Sequence, residues 1–472
     1  MTEPAASDTP AATGPGFDTL ALPPAVLANL QALGWRSMTP IQAAALPPAL
    51  AGQDLIAEGP TGSGKTAAFA LALLQRLELG RPDVQALVLC PTRELAEQVA
   101  QETRRLARAG DNTKVLVLCG GTPIQPQTDS LAHGAHVVVG TPGRIVDHLA
   151  RGSLVLDALA VLVLDEADRM LDMGFAPDIA TIGSRCPPGR QTLLFSATWP
   201  EGLAQLSRRF LRTPVAVKVA AQATAGKIRQ RFYQVDDSQR LHAVGQLLAH
   251  WRPARTLAFC NTKLQCRDLV DVLRAQGIAA LALHGDLEQR DRDQVLVRFA
   301  NRSCPVLVAT DVAARGLDIA GLEAVVNVDI SAEAEQHIHR IGRTGRADAD
   351  GWAFSLASLD EMGRVGRIEQ LQGAEVDWFP LDGLTPTGQG PVQAPMVTLQ
   401  ILGGRKEKIR RGDVLGALTG DGGLPAAAIG KIDINDFSTY VAVERAIAPK
   451  ALRALNEGKV KGKKVKARVV EG

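Results

Sequence analysis

A chain of 472 residues, 46% hydrophobic and 22% charged, is too long for one hydrophobic core and at roughly 100–200 residues per domain divides into two or three. No run approaches the roughly 18–20 uninterrupted apolar residues of a membrane-spanning helix. Residues 1–16 also lack a basic stretch followed by an apolar one, so the chain reads as cytoplasmic, with no membrane partner. The net charge of +2 hides an asymmetry: residues 396 onward hold 15 Lys and Arg against 8 Asp and Glu, a net +7, leaving −5 on the rest. A basic tail on a mildly acidic body points to a polyanionic partner, against the plainer reading of a solvated basic surface.

In chain order, residues 1–16, rich in Ala, Pro, Thr and Gly, read as a disordered leader. Short apolar runs bounded by turn residues then alternate with helix-like stretches, the pattern of buried parallel strands in an α/β sheet. They fall at 54–57, 86–90, 114–119, 136–139, 161–164 and 191–195, and in a second series at 256–260, 280–283, 306–309 and 324–329. Residues 212–230, with Pro214 and Gly226, read as a hinge between the two series. A Gly/Pro-rich linker follows residue 380, and the third unit runs strand (396–402), basic loop (403–411), helix (412–419), strand (429–434), strand (438–443), helix (449–457), strand (464–470). That βαββαβ order resembles an RRM-like α+β sandwich. The expected division is a lobe at 17–217, a hinge at 218–230, a second lobe at 231–380, a linker at 381–395 and the RRM-like domain at 396–472. The six cysteines show no C-x-x-C spacing, so neither zinc nor disulfides are implied.

Nearly every strand is followed at once by a polar cluster, and ligands of open α/β sheets bind at the carboxyl ends of the strands. After the first strand stands Gly59-Pro60-Thr61-Gly62-Ser63-Gly64-Lys65-Thr66. Its glycines let backbone N–H groups approach phosphate oxygens, Lys65 reaches the β and γ phosphates, and the Thr66 hydroxyl suits Mg²⁺. Val161 to Leu164 ends in Asp165-Glu166-Ala167-Asp168, where Asp165 is a Mg²⁺ ligand candidate and Glu166 the group to orient and deprotonate water. In His339-Arg340-Ile341-Gly342-Arg343-Thr344-Gly345-Arg346, Arg343 and Arg346, read as one helical turn apart, suit a transferring phosphoryl group. The set predicts a nucleotide triphosphatase.

Together these residues, from 17 to about 380, resemble the DEAD-box RNA helicases. The resemblance implies two tandem RecA-like parallel-sheet lobes and an ATP-dependent, RNA-stimulated ATPase that unwinds RNA locally. It further implies that Gln42, in Thr39-Pro40-Ile41-Gln42, pairs with adenine and that Phe17 stacks on it, although a buried Phe is more often core. Ser196, Thr198 and Asp168 would couple ATP to strand separation, Asp318 would contact ribose, and His339 would join the two arginines at the γ phosphate. RNA contacts would come from Arg93, Gly121, Thr141, Arg144, Arg292 and Thr310. The chain departs from the family pattern at Gly59-Pro60 and at Met38. With aromatics at 4%, phosphate and 2′-OH contacts should outweigh base stacking.

The third unit, with Gly403-Gly404-Arg405-Lys406-Glu407-Lys408-Ile409-Arg410-Arg411, looks like the C-terminal domain of the DbpA subfamily. That likeness implies binding to structured large-subunit ribosomal RNA, through Arg405, Lys406, Lys408 and Arg410, and a monomer working on pre-ribosomal particles in large-subunit assembly. Lys459, Lys461, Lys463, Lys464 and Lys466 form a second basic run, while Tyr440 stands without the partner aromatic usual on RRM central strands. An RNA-binding scaffold or annealing chaperone with ATP-timed release, and an ATPase acting on DNA, stay open at this point.

Overall fold

The computed structural model describes residues 14–60, 62–110, 112–219, 228–314, 321–345, 350–388 and 390–470. Most of the expected leader, the middle of the hinge, and Thr61, Asp318 and Arg346 lie outside these residues. The chain divides into two compact units, one built on the first sheet and one holding the second and third sheets.

The first sheet has seven strands: β1 Leu55–Glu58, β2 Ala86–Leu89, β3 Val115–Leu118, β4 Val137–Gly140, β5 Val161–Leu164, β6 Gln191–Ser196 and β7 Val215–Lys218. They run parallel in the order β3-β4-β2-β5-β6-β1-β7. β2 and β5 are buried at every position, because helices cover both faces, and this explains their continuous Val/Leu/Ala runs. β7 lies inside the segment read as hinge; its alternating half-buried and exposed positions are those of an edge strand, not of a connector. Residues 14–16, read as leader, are also tied down, with Gly16 bridged to Ser37 and Met38 N–H donating to Pro15 C=O at 2.9 Å.

The second sheet comprises β8 Ile228–Gln234, β9 Thr256–Cys260, β10 Ala280–Leu283, β11 Val306–Thr310, β12 Ala324–Asn327 and β13 Gly351–Ala357, in the order β10-β11-β9-β12-β13-β8. β8, whose first residues were also read as hinge, pairs with β13 along its whole length. The third sheet is antiparallel: β14 Met396–Ile401, β15 Ile429–Ile434, β16 Thr439–Glu444 and β17 Ala467–Val469, in the order β15-β16-β14-β17. Helices Arg411–Gly416 and Ala448–Glu457 cover one of its faces through Val414, Ala451 and Leu455.

The described residues of the linker at 381–395 form a strap: Leu381, Leu384 and Val392 pack on the core of the second sheet. His250 Nδ1 lies 2.7 Å from Thr385 C=O, Val392 N–H donates to Gly277 C=O at 3.1 Å, and Arg252 donates to Gly390 C=O at 3.4 Å. Three apolar side chains scattered among Gly and Pro match neither a helical nor a strand period, so the docking leaves no periodic signature.

Candidate nucleotide and RNA site

The strand order sorts the loops along the carboxyl edge of the first sheet. Following β3, β4 and β2 come Gly120-Gly121-Thr122, Thr141 to Arg144 and Pro91 to Glu94; following β5, β6 and β1 come Asp165 to Asp168, Ser196 to Thr198 and the glycine-rich loop. The residues expected to touch RNA thus occupy one half of the edge and those expected to touch nucleotide the other.

On the nucleotide half, Gly64 sits at φ +95° at the start of helix Lys65–Leu74, and an added Cβ would stand 2.5 Å from Gln42 Nε2. Only glycine fits there. The helix is Ala- and Leu-rich and buried on nearly all sides, so it packs as a rigid post behind the loop. Lys65 Nζ donates to Gly59 C=O at 2.7 Å. Burial pulls the Lys65 ammonium below its usual range, opposed by Asp165, Glu166 and Asp168. Gln42 is half committed: Oε1 accepts from Thr39 N–H at 2.9 Å and Nε2 donates to Gly64 C=O at 3.2 Å. One lone pair and one N–H remain, the pair that the N6/N7 edge of adenine requires. Phe17 is 4% exposed and stacks on Trp35 at 6.5 Å, which is the packing of a core residue.

Burial, reinforced by Glu166 and opposed by Lys65, pushes the Asp165 carboxyl up to about 7. Glu166 holds φ +51°, a costly conformation for a residue with a side chain, and its carboxylate meets Arg169 at 3.5 Å. Among the described residues no cluster of three or more His, Cys, Asp or Glu could hold a metal unaided. Mg²⁺, however, is held by one or two carboxylates together with substrate phosphates. A buried carboxyl short of positive charge, with the Thr66 hydroxyl as second donor, fits that ion and would let it offset phosphate charge.

Asp168 joins two loops. Its Oδ2 accepts from the Thr198 hydroxyl at 2.8 Å, Thr198 N–H at 2.9 Å and Ala197 N–H at 3.2 Å, while Ser196 Oγ donates to Thr198 C=O at 2.6 Å. Burial pushes the Asp168 carboxyl upward, but the hydrogen bonds from Thr198, with Ser196 and Lys65 close by, outweigh it and leave the group below the usual carboxylate range.

On the RNA half, Arg93 Nη1 and Arg144 Nη1 are buried with no partner among the described residues. A network absent from the sequence reading ties the loops here together. Arg144 Nη2 donates to Thr122 C=O at 3.0 Å; Gln127 Nε2 donates to Thr122 Oγ1 at 2.8 Å and to Cys119 C=O at 3.0 Å. Behind Gln127 stands buried His148, whose imidazole is held below its usual range by burial and then by Arg144. A neutral ring protonated at Nε2 satisfies its neighbours: Nε2–H donates to Gln127 Oε1 at 3.4 Å and Nδ1 accepts from Ser153 Oγ at 2.8 Å.

In the second unit, helix Ala334–Ile341 ends before Arg343, and Arg346 lies outside the described residues. Arg343 is buried and His339 half-buried. The arginine between them, which the sequence left without a role, is the organiser: Arg340 donates to Asp311 at 2.6 and 2.8 Å, Asp329 C=O at 2.7 Å and Asn261 Oδ1 at 3.2 Å, tying together the ends of β11, β12 and β9. Arg292 donates to Ala313 C=O at 2.8 Å, beside the Thr310 hydroxyl that accepts from Ala313 N–H at 3.4 Å. In the third domain Ile409 is buried in the core, whereas Arg405, Lys406, Lys408 and Arg410 face solvent. Lys461 Nζ donates to Lys408 C=O at 2.5 Å, so two basic runs far apart in sequence meet.

A phosphate loop, an acidic strand end and a coupling loop on one parallel-sheet edge define a P-loop nucleotide triphosphatase. Family models match in series along the chain: DEAD/DEAH box helicase at 39–206, helicase conserved C-terminal domain at 239–348 and DbpA RNA binding domain at 398–469. The ATP-dependent RNA helicase DbpA of Escherichia coli (strain K12) is 52% identical over 96% of this chain and 99% of its own. The DEAD-box ATP-dependent RNA helicase CshA of Geobacillus kaustophilus (strain HTA426) is 42% identical over 75% of this chain and 76% of its own. A solved S. cerevisiae Dbp5 bound to RNA and ADP BeF3 superposes with a TM-score of 0.71 at 29% identity, covering 78% of this chain and 96% of that one. The chain belongs to the DbpA subfamily of DEAD-box ATP-dependent RNA helicases. It is therefore an ATP-driven enzyme with an RNA-binding C-terminal domain. Among the described residues no helix is long and apolar enough to cross a membrane.

Proposed function

We propose that this helicase is anchored by its third domain to a structured segment of large-subunit ribosomal RNA and remodels neighbouring helices during large-subunit assembly, as a monomer in the cytoplasm. The observation that carries this reading is the junction of the two basic runs at Lys461 and Lys408, on a domain that matches the DbpA RNA-binding model. Arg405, Lys406, Lys408 and Arg410 hold the anchor RNA. Arg93, Gly121, Thr141, Arg144, Arg292 and Thr310 grip the backbone of the strand to be freed, a sequence-independent mode suited to a remodeller.

For the chemistry, Gln42 selects adenine and the loop from Gly59 to Thr66 seats the phosphates. Thr66 and Asp165 hold Mg²⁺, which would offset charge on those phosphates. Glu166 positions and deprotonates the attacking water; His339, Arg343 and Arg346 balance charge on the γ phosphate. Asp318 contacts the ribose. Asp168, Ser196 and Thr198 transmit the state of the nucleotide half-edge to the RNA half-edge of the same sheet. Melting about four base-pair steps costs about 5–6 kcal/mol at about 1.4 kcal/mol per step. A shift of about 5.5 kcal/mol inverts a 1:99 population. One ATP-driven closure therefore suffices for local melting.

The test is ATP turnover measured against a panel of ribosomal RNA fragments and structured non-ribosomal RNAs of matched length. One or a few large-subunit fragments should stimulate at far lower concentration than the rest; equal stimulation across the panel refutes the anchor.

A further inference from the structure

The third domain contains two aromatic residues, Phe437 and Tyr440, and the fold assigns them opposite fates. The face of an RRM-like sheet away from its helices is where bases ordinarily stack on aromatic side chains. Here the centre of that face is closed: Thr398 is 1% exposed, Gln400 5%, Tyr440 6% and Ala442 1%. Part of the cover comes from the second-sheet domain, where Ser303 Oγ lies 2.6 Å and Asn301 Nδ2 3.4 Å from Thr398 Oγ1. The Tyr440 hydroxyl accepts from Gln400 Nε2 at 3.2 Å, and the ring is buried. It cannot receive a base.

Phe437 is 72% exposed at the tip of the hairpin between β15 and β16. That tip is joined to the basic loop by backbone: Arg405 N–H donates to Asn435 C=O at 2.9 Å and Lys406 N–H to Asp436 C=O at 3.0 Å. The approach is so close that a Cβ on Gly404 would stand 2.1 Å from Asn435 C=O. Ile409, buried beneath, anchors the same loop. An exposed phenyl ring thus sits on a hairpin tip bonded to the basic loop, whose Arg405 pairs with Asp436 at 3.7 Å and whose Lys408 C=O accepts from Lys461 of the second basic run. Cations beside an aromatic face are the elements of a site for single-stranded nucleic acid: the charges track phosphates and the ring takes a base.

We propose that Phe437 is a stacking platform for an unpaired base of the RNA bound at the 405–411 loop. The inference deepens the anchoring reading and rests on it. A single platform makes the domain prefer a stem bearing an unpaired loop or bulge over a fully paired stem, since only an unstacked base can reach the ring.

The test uses the full chain and two labelled RNAs, a stem-loop and the same stem closed as a blunt duplex. Loss of base–aromatic stacking, about 1–3 kcal/mol, corresponds to roughly 5- to 150-fold. Phe437→Ala should weaken stem-loop binding within that range and leave duplex binding and RNA-free ATPase unchanged, while Phe437→Trp should retain affinity and show indole fluorescence quenched by the stem-loop alone. Unchanged stem-loop binding by Phe437→Ala, or an unquenched Phe437→Trp, overturns the platform. A companion variant with Arg405, Lys406, Lys408 and Arg410 all changed to Ala separates the two readings. If it binds stem-loop as the parent does, the anchor loop itself is wrong; if it loses binding while Phe437→Ala does not, only the platform fails.

Discussion

On the proposed mechanism the chemical step turns on Glu166. Glu166→Gln keeps the shape of the side chain and removes the base, so ATP and RNA binding should persist while turnover falls by about 10²- to 10⁴-fold, the range for loss of a positioned general base. Phosphate release measured beside equilibrium binding checks both halves. At Asp165 the sign of the pH effect is fixed by the direction of its shift. A carboxyl pushed up to about 7 binds its proton more tightly in the folded chain than in the unfolded one. Its contribution to stability is therefore full below the ordinary carboxylate range and lost as pH rises through about 7. Melting temperatures of the nucleotide-free protein should fall more steeply between about pH 5 and pH 8 than those of Asp165→Asn. Gln127 acts through other residues, holding Thr122 and, by way of Arg144, the loop beyond it. Gln127→Ala should raise several-fold the RNA concentration needed for half-maximal ATPase, with RNA-free turnover unchanged; a matching loss of both would mean simple damage to the fold.

Elements were legible where one physical signal dominated. β5 and β9, interior parallel strands, announce themselves as continuous apolar runs, and with the edge strands β10 and β15 they begin and end where the sequence placed them. The edge strands β7 and β8 did not. β8 carries Arg229 and Arg231 on one face and reads as polar, yet Arg231 lies 4.0 Å from the Phe379 ring centroid and 4.8 Å from that of Trp251, covering an aromatic cluster with a cation. In the site, the loops were visible because glycine and acidic residues at strand ends have few other uses. The groups that brace them, Arg340, Gln127 and His148, were invisible because their partners lie on other elements and no local spacing marks them. Phe437 carries no such signal either, because it lies on a hairpin tip away from the central-strand positions where RRM aromatics are expected. The strap at 381–395 makes its own prediction: Leu384→Ser with Val392→Ser should speed amide exchange across the strap, since each half-buried aliphatic contributes part of the roughly 1.5–3 kcal/mol of full burial, and leave RNA-free ATPase intact. Unchanged exchange would show that the backbone contacts alone hold it.

For the whole molecule, removal of 396–472 separates engine from anchor. The truncated chain should keep its RNA-free ATPase and lose its preference among ribosomal fragments, read from the same stimulation panel. A more selective change loosens the attachment without removing it: a flexible Gly-Ser insertion between Thr387 and Val392 should preserve affinity for the anchor RNA while broadening the range of neighbouring helices that are melted.

That last expectation follows from how the third domain is held. With the strap pressed onto the second sheet and Thr398 bonded across to Ser303, the attachment is a gauge and not a leash. A leash would let the enzyme sample any duplex within a sphere around its mooring. On the anchoring proposed above, a gauge admits only helices at one offset and angle, so that the architecture of a ribosomal particle, as much as base sequence, would select what is opened, and a particle already folded past that spacing would no longer be a substrate.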